Sequence, residues 1–240
     1  MATLVLLRQA RSTANGSGVL AGRTPGVELD ETGRKQADEL VARLTAVPLT
    51  GIVCSPLLRC EQTVAPLAAA RELTPVTEPA LAEVDYGDWT NRALGDLAKE
   101  KLWSVVQQHP SAAVFPGGEG LATVQTRAVA AVRAHDARIT AEHGPEAVWL
   151  LCSHGDVLKA ILADALGQHL DSFQRIVVNP ASVSVVQYTA HRPFVLRMND
   201  NGGELASIVP PKPRPPEQAS EPDGHRPGDA VPGGEPGRPA

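Results

Sequence analysis

The sequence is short of cysteine, of long apolar runs and of positive charge. Its three cysteines, Cys54, Cys60 and Cys152, are too few and too scattered in 240 residues for a disulfide framework or a zinc site. No uninterrupted apolar stretch approaches the roughly 20 residues that a membrane-spanning helix needs. The formal net charge of -5 lacks the basic excess that is typical of nucleic-acid-binding proteins. We therefore expect neither a nucleic acid nor a membrane among its partners.

The first residues and the distribution of polar side chains exclude two further features. The N-terminus has no basic leader and no apolar segment of the length found in a secretory signal. Together with the low cysteine content, this favours a reduced, cytoplasmic protein. Carboxylate and imidazole side chains do not cluster at the spacings of a metal site, so we expect no metal and no other cofactor.

The sequence does contain short apolar runs that alternate with helical patterns. With 42% hydrophobic residues, the chain can form one sizeable core. Strands are predicted at Leu4 to Leu7, Gly51 to Cys54, Thr74 to Val76, Val148 to Cys152, Ile176 to Tyr188 and Phe194 to Met198. One helix is predicted with Asp30 as its N-cap, and the next with Ser55 as its N-cap and Pro56 at its first position. Further helices are predicted over Leu94 to Gln108, over Glu119 to Glu142 and over Val157 to Leu166. This alternation predicts an α/β fold, a three-layer domain over residues 1–207 with a mostly parallel central sheet flanked by helices.

The composition changes near the end of the chain. From Pro210 onward, Pro and Gly supply about half of the residues and no aromatic residue remains. Such a segment buries too little apolar surface to offset its ordering entropy. We therefore predict that residues 208–240 form a disordered Pro/Gly-rich tail, either a plain tail or linker or a Pro-rich docking peptide.

Polar side chains follow the ends of three predicted strands. Arg8 and Gln9 follow the first strand, the segment Ser55 to Arg59 follows the second, and Ser153-His154 follows the strand that ends at Cys152. The carboxyl ends of parallel strands meet at one edge of the sheet, where ligands bind. Two arginines and a histidine at that edge would form a local anion site. Taken singly, Arg59 also fits a solvated helix residue and His154 a helix cap.

An ordered set of motifs resembles that of the histidine phosphatase superfamily, the phosphoglycerate-mutase-like group, over about Thr3 to Met198. The family pattern Leu-x-Arg-His-Gly-x-Thr-x-x-Asn corresponds to Leu6 through Asn15, and Ser-x-Leu-x-Arg-x-x-x-Thr corresponds to Ser55 through Thr63. The remaining motifs match Leu29 to Ala37, Leu81-Ala82-Glu83 with Tyr86 to Trp89, Gly117-Gly118-Glu119 and Ser153-His154-Gly155.

This resemblance implies a mechanism and a set of site residues. A histidine at position 9 would attack phosphorus and become phosphohistidine. Arg8, Arg59 and His154 would hold the phosphoryl oxygens, and Asn15 and Gly22 are assigned to the same phosphate-binding group. Glu83 would protonate the leaving oxygen and later activate water. The implied ligand is a phosphorylated small molecule or another phosphomonoester.

The chain departs from the family pattern at its centre, because position 9 is Gln. The lone pair of an amide nitrogen is delocalised into the carbonyl, so Gln9 is not a useful nucleophile. Loss of a covalent nucleophile costs on the order of a millionfold in another hydrolase. Gln9 can still donate a hydrogen bond to phosphate, so binding is expected to survive where turnover does not.

Three hypotheses follow from this pattern. The chain is a phosphomonoesterase whose turnover is severely impaired at Gln9, a pseudophosphatase that binds phosphorylated ligands, or a scaffold that acts through its tail. The loop after Glu83 lacks the basic residue of the cofactor-dependent mutases, which favours the phosphatase side of the family over the mutase side. The retained Arg8, Arg59 and His154 disfavour the scaffold, and retained Glu83 favours the enzyme lineage over the pure binder.

Overall fold

A six-stranded sheet forms the centre of the structure, a computed structural model that describes residues 2–203 and 230–234. Its strands are β1 (Thr3–Arg8), β2 (Leu49–Cys54), β3 (Val76–Thr77), β4 (Val148–Ser153), β5 (Val183–Gln187) and β6 (Phe194–Asp200). They lie in the order β3-β2-β4-β1-β5-β6. The first four in this order are parallel, whereas β5 is antiparallel to β1 and β6 is antiparallel to β5. The predicted mostly parallel sheet is confirmed.

Helices cover both faces of the sheet. They are α1 (Thr13–Ser17), α2 (Glu31–Arg43), α3 (Leu58–Ala70), α4 (Leu94–Leu97), α5 (Lys101–Gln108), α6 (Leu121–His143) and α7 (Gly155–Ala165). Short 3-10 helices lie at Pro79–Leu81, Gly87–Trp89, Pro110–Ala112 and Leu170–Arg175. Apolar side chains of α2 and α3 share one core with the sheet, and those of α6 and α7 share the other. The three-layer α/β architecture expected from the sequence is therefore present.

Strand β1 lies between β4 and β5 and contributes side chains to both cores. Leu4 and Leu6 pack in the core under α6 and α7, whereas Val5 and Leu7 pack in the core under α2 and α3. Because both faces are covered, every position of the strand favours an apolar residue, which explains the continuous run in the sequence. Fully burying one such side chain stabilises the fold by about 1.5–3 kcal/mol.

The start of α3 differs from the prediction. The helix begins at Leu58 with Leu57 at its N-cap position, so the expectation that Ser55 caps it and Pro56 is its first residue was wrong. Ser55 Oγ lies 2.7 Å from Nε2 of His154 and forms a hydrogen bond with it instead. The same hydroxyl group accepts the Leu57 N–H at 3.4 Å, but Leu57 precedes the helix, so the shorter of the two contacts is with a residue distant in sequence.

Two other elements are shorter than predicted. The helix expected over Leu94 to Gln108 is divided into α4 and α5. The strand expected from Ile176 begins only at Val183, because the preceding segment turns. In that turn the Ser182 N–H donates to the Asn179 carbonyl at 3.0 Å, and the Val178 carbonyl accepts from Arg8 at 2.8 Å. These backbone groups are thereby occupied outside the sheet.

The C-terminal tail is described only in part. Most of the predicted disordered segment, and the domain boundary proposed at residues 207/208, fall on residues 204–229 and 235–240, which lie outside the described residues. Residues 230–234 are described, and they lie against the carboxyl ends of the parallel strands. No helix within the described ranges combines the length and apolar character needed to cross a bilayer.

Candidate active site

The sheet topology brings the three predicted strand ends together. Strand β4 lies between β1 and β2, and all three run in the same direction. The backbone N–H of Gln9 donates to the Ser153 carbonyl at 2.8 Å, and that of Ser55 donates to the Cys152 carbonyl at 3.0 Å. Backbone pairing therefore holds the loops after these strands side by side, with their side chains at one edge.

A cavity of about 220 Å³ opens at this edge. The residues with polar side chains that line it are Gln9, Ser12, Asn15, Arg59, Glu83 and Tyr86. Gly22 and residues 231–234 also line the cavity, so its wall includes part of the C-terminal tail. Most of the residues that the resemblance singles out thus share one small space, with Arg8 and His154 buried beside it.

Two guanidinium groups supply the positive charge of this site. Arg8, at the end of β1, is fully buried, and its Nη2 donates to the Gly233 carbonyl at 3.1 Å. Arg59, in the first turn of α3, is also buried and donates to the Gly22 carbonyl at 2.8 Å. Buried cations favour an anionic partner, because removing them from water is costly. Their fork of donors suits phosphate oxygens.

Gly22 contributes through its backbone. Its φ of +51° lies in the left-handed region that favours glycine. A Cβ at this position would lie 3.1 Å from side-chain atoms of both Thr90 and Tyr86. The glycine therefore lets the carbonyl turn toward Arg59 without a steric conflict, and it orients that guanidinium.

Glu83 is a buried carboxyl group with an unusual protonation equilibrium. Burial and, to a smaller extent, the neighbouring Asp156 carboxylate raise its pKa to about 7, although Arg59 acts in the opposite direction. Its Oε1 accepts the Val84 N–H at 2.9 Å. The Glu83 carbonyl accepts from Arg23 at 2.8 Å, which fixes the loop. A carboxyl group with this pKa can release and recover a proton near neutral pH.

His154 is the N-cap residue of α7 and is completely buried. Burial lowers its pKa well below the ordinary value, and the charges of Arg59 and Arg8 lower it further. The imidazole is therefore neutral at pH 7 and carries a single N–H. Its Nε2 lies 2.7 Å from Ser55 Oγ, and its Nδ1 lies 3.9 Å from Oε2 of Glu83.

Gln9 lies among these groups at the end of β1. Its side chain is buried, and its Oε1 has no hydrogen-bond partner among the described residues. A buried amide oxygen without a partner costs free energy, on the order of 1–3 kcal/mol. The position of Gln9 directly after β1 places its side chain in the cavity, and no described polar neighbour donates a hydrogen bond to Oε1 to offset this cost.

Asn15 lines the cavity but also has a local task. Its Oδ1 accepts from the Ser12 backbone N–H at 3.0 Å and from Ser12 Oγ at 2.8 Å. The two residues form a capping box at the start of α1. The acceptor end of Asn15 is therefore occupied, and its amide NH₂ group is the end that can donate to a ligand.

The sequence analysis did not identify Asp156 and Tyr86 as site residues. Asp156 is buried in the first turn of α7 and accepts from the Tyr86 hydroxyl at 2.8 Å. Its other carboxylate oxygen lies 3.5 Å from the Lys159 ammonium group. Burial and the Asp156 carboxylate raise the pKa of Tyr86 well above its usual value. Its position directly after Ser153-His154-Gly155 could have marked Asp156 as a site residue. Its contact with Tyr86 could not be predicted in this way, because the two residues are far apart in sequence.

The protein is of the α/β class, and its candidate site residues lie at the carboxyl edge of the parallel strands. Residues 4–201 match the model of the histidine phosphatase superfamily (branch 1), so the chain belongs to that superfamily. Sequence comparison and fold comparison both yield relatives of this kind.

Two curated relatives differ in the activity that their names state. Phosphoserine phosphatase 1 of Hydrogenobacter thermophilus is 29% identical over 83% of this chain and 92% of its own length. The "Probable phosphoglycerate mutase GpmB" of Yersinia pestis (strain Pestoides F) is 30% identical over 78% of this chain and 86% of its own. The solved structure of Bacillus stearothermophilus YhfR superposes with a TM-score of 0.76 at 26% identity, covering 83% of this chain and 98% of that one.

Proposed function

We propose that this protein is a phosphomonoester hydrolase of the phosphohistidine-intermediate type, which binds phosphate monoesters of small molecules in the cavity beside Gln9 and whose turnover is severely impaired because Gln9 replaces the nucleophile. The observation that carries this proposal is the combination of Arg8, Arg59, His154 and Glu83 around position 9, where the nucleophile is replaced by Gln. The impaired step is the formation of the covalent intermediate, while the binding groups are retained.

Charge is the main reason to expect phosphate binding. Arg8 and Arg59 are buried cations, and a phosphate dianion would offer each of them oxygen acceptors. A hydrogen bond to a charged group is worth about 1.5–3 kcal/mol. The neutral His154 adds one N–H donor, and the NH₂ groups of Gln9 and Asn15 can add others. Together these donors match the several acceptor oxygens of a phosphoryl group.

Glu83 suits the role of general acid. With a pKa of about 7, a substantial fraction of this carboxyl group is protonated at neutral pH. A bound phosphate dianion would favour the protonated form further. The acid could then donate its proton to the leaving oxygen, as the mechanism inferred from the resemblance requires.

The phosphatase side of the superfamily is favoured over the mutase side by the loop after Glu83. Its next residues are Val84 and Asp85, neither of which is basic. The nearby Arg23 forms an ion pair with Glu119 at 2.8 Å, so it is less able to bind a second phosphate group.

A second candidate function is that of a pseudophosphatase that binds phosphorylated ligands without turnover. The unpartnered Oε1 of Gln9 favours it, because a ligand hydroxyl or ammonium group could donate to that atom. The retained Glu83 argues for the enzyme lineage, since a pure binder gains little from a buried carboxyl group beside its anion.

Hydrolysis of para-nitrophenyl phosphate by the native chain and by the Gln9→His variant tests the proposal. We expect near-background turnover for the native chain and a gain of several orders of magnitude for the variant, because only the nucleophile is missing. Gln108→His, which introduces a histidine on the exposed side of α5, is the matched control and should gain nothing.

Three other outcomes would contradict this proposal. Substantial turnover by the native chain would show that another group attacks phosphorus, with His154 the first to test. Inactivity of both forms, combined with tight binding of the phosphate ester, would favour the pseudophosphatase. Absence of both turnover and phosphate binding would exclude the two candidate functions together.

A further inference from the structure

Residues 230–234 of the C-terminal tail have the sequence Ala-Val-Pro-Gly-Gly, and residues 231–234 form part of the wall of the cavity that Gln9 and Glu83 also line. We propose that this plug segment (residues 230–234) is an intramolecular inhibitor that occupies the phosphate-binding position and must leave before a phosphorylated ligand binds. The inference rests on the proposed function in one respect, namely that the competing ligand is an anion held by Arg8.

The plug segment contacts Arg8, one of the two arginines that we propose bind phosphate. The Gly233 carbonyl accepts from Nη2 of Arg8 at 3.1 Å. A Cβ built on Gly234 would lie only 3.0 Å from Cζ of the same guanidinium group. A carbonyl oxygen thus occupies a donor that a phosphoryl oxygen would use, and the backbone leaves no room for both.

A second contact joins the plug segment to the start of α7. The Gly233 N–H donates to Oδ2 of the buried Asp156 at 2.9 Å. The Gly233 carbonyl also lies against Gly155, where an added Cβ would come within 2.3 Å of that oxygen. Gly233 is therefore held at both its backbone N–H and its backbone carbonyl, at a position that only glycine at position 155 leaves open.

The other end of the plug segment has its own anchor, on α5. The Gln107 side-chain amide donates to the Ala230 carbonyl at 2.8 Å and accepts from the Ala230 N–H at 2.9 Å. This reciprocal pair is the pattern by which an amide side chain recognises an extended backbone. Because Gln107 does not line the cavity, the anchor is independent of the phosphate-binding groups.

The sequence of the plug segment encodes its shape. The Gly234 N–H donates to the Val231 carbonyl at 2.8 Å, which closes a four-residue turn with Pro232 and Gly233 at its centre. Gly233 has a φ of +81°, as the third residue of a type II turn requires, and proline is favoured immediately before it. The Val-Pro-Gly-Gly sequence therefore presents the Gly233 peptide group to the site in a defined conformation.

The proposed competition has a simple quantitative form. The plug segment offers Arg8 a neutral carbonyl, whereas phosphate offers a dianion, so a phosphorylated ligand can displace it. An apparent dissociation constant equals the intrinsic one divided by the fraction of open molecules. If the plug segment occupies about three-quarters of the molecules, the apparent Kd for phosphate is about fourfold higher than the intrinsic Kd.

The test compares the binding of inorganic phosphate to five forms of the full chain by titration calorimetry. Gly233→Val places a β-branched residue at a positive φ and destroys the turn, while Gly224→Val makes the same change in the tail outside the plug segment. Gln107→Ala removes the anchor, while Gln108→Ala changes its exposed neighbour on the same helix. We expect the Kd to fall about threefold or more in Gly233→Val and Gln107→Ala, and to stay at the native value in both controls.

A second measurement separates this inference from the proposed function. Hydrogen exchange of the Gly233 amide, followed by NMR, should be about fourfold slower in the native chain than at saturating phosphate, with Gln107→Ala in between, because exchange requires the open quarter of the molecules. Equal phosphate affinities in all five forms would overturn the inference while leaving the proposed function intact. If no form binds phosphate, including the two variants that release the plug segment, the proposed function fails and the inhibition fails with it, because there is no ligand to exclude.

Discussion

The carboxyl group of Glu83 is controlled by neighbours that lie far from it in sequence. Burial has the largest effect on its pKa, the Asp156 carboxylate raises the pKa further, and Arg59 acts in the opposite direction. Asp156 touches Tyr86 in the loop that carries Glu83, so it also positions that loop. We therefore regard Asp156 as a positioning residue whose charge raises the pH at which Glu83 loses its proton.

The Asp156→Asn substitution, made in the Gln9→His background, tests this role. Removing the negative charge lowers the pKa of Glu83, so the carboxyl group loses its proton at lower pH. Because the acid must be protonated to act, the high-pH limb of the kcat profile should move to lower pH. Asp164→Asn, on the more exposed part of α7, is the control and should leave the profile unchanged. An unmoved limb in Asp156→Asn would mean that burial alone raises the pKa.

Single residues were predictable from the sequence where the backbone itself places them. Arg8, Gln9 and His154 directly follow the ends of parallel strands, so topology alone brings them together. The contact between Tyr86 and Asp156 could not be predicted, because it depends on how a loop of irregular structure folds over α7. The roles assigned to these residues stay predictions until the variants are measured.

The ends of helices show the same contrast between local and distant causes. The predicted N-cap of α2 is confirmed, since Asp30 Oδ1 accepts from the Gly33 N–H at 2.8 Å, an interaction within one turn. The predicted N-cap at Ser55 was wrong, since its hydroxyl group binds His154 on another element. The sequence thus predicted the helix start that a contact within one turn stabilises. It did not predict the start of α3, where the expected cap residue contacts another element.

The cap of α2 gives a stability prediction at this scale. Asp30→Ala removes the cap and the ion pair with Arg11, whose Nε lies 3.2 Å from Asp30 Oδ2. Loss of an N-cap costs about 1 kcal/mol, which lowers Tm by roughly 2–4 °C in a domain of this size. Asp38→Ala, an exposed change on the same helix, should lower Tm by less. Equal losses in the two variants would show that the cap contributes nothing.

The stability of the whole molecule should depend on pH through Glu83. Its pKa is about 7 in the folded protein against 4.5 for the ordinary group, so between these values the folded state binds more protons than the unfolded state. The free energy of unfolding therefore decreases as pH rises through this window. Retaining a buried carboxyl group for catalysis thus carries a stability cost at neutral and alkaline pH.

Glu83→Gln should remove this cost. The Tm of the variant relative to the native chain should increase from pH 4.5 to pH 7 and stay constant above that, because Gln is neutral throughout. Thermal unfolding followed by circular dichroism across this range provides the measurement. The exposed Glu146→Gln is the control, and its Tm should follow that of the native chain. A constant difference between Glu83→Gln and native would contradict the raised pKa.

The position of β1 between β4 and β5 has a consequence for the order of events in folding. Strand β1 pairs with residues Val148 to Ser153 on one side and Val183 to Gln187 on the other. Such long sequence separations make pairing slow, because a large loop must close before any contact forms. Strand β1 must therefore stay unpaired until β4 has been synthesised. The candidate site cannot form before that point, although Gln9 precedes β4 by more than half of the domain.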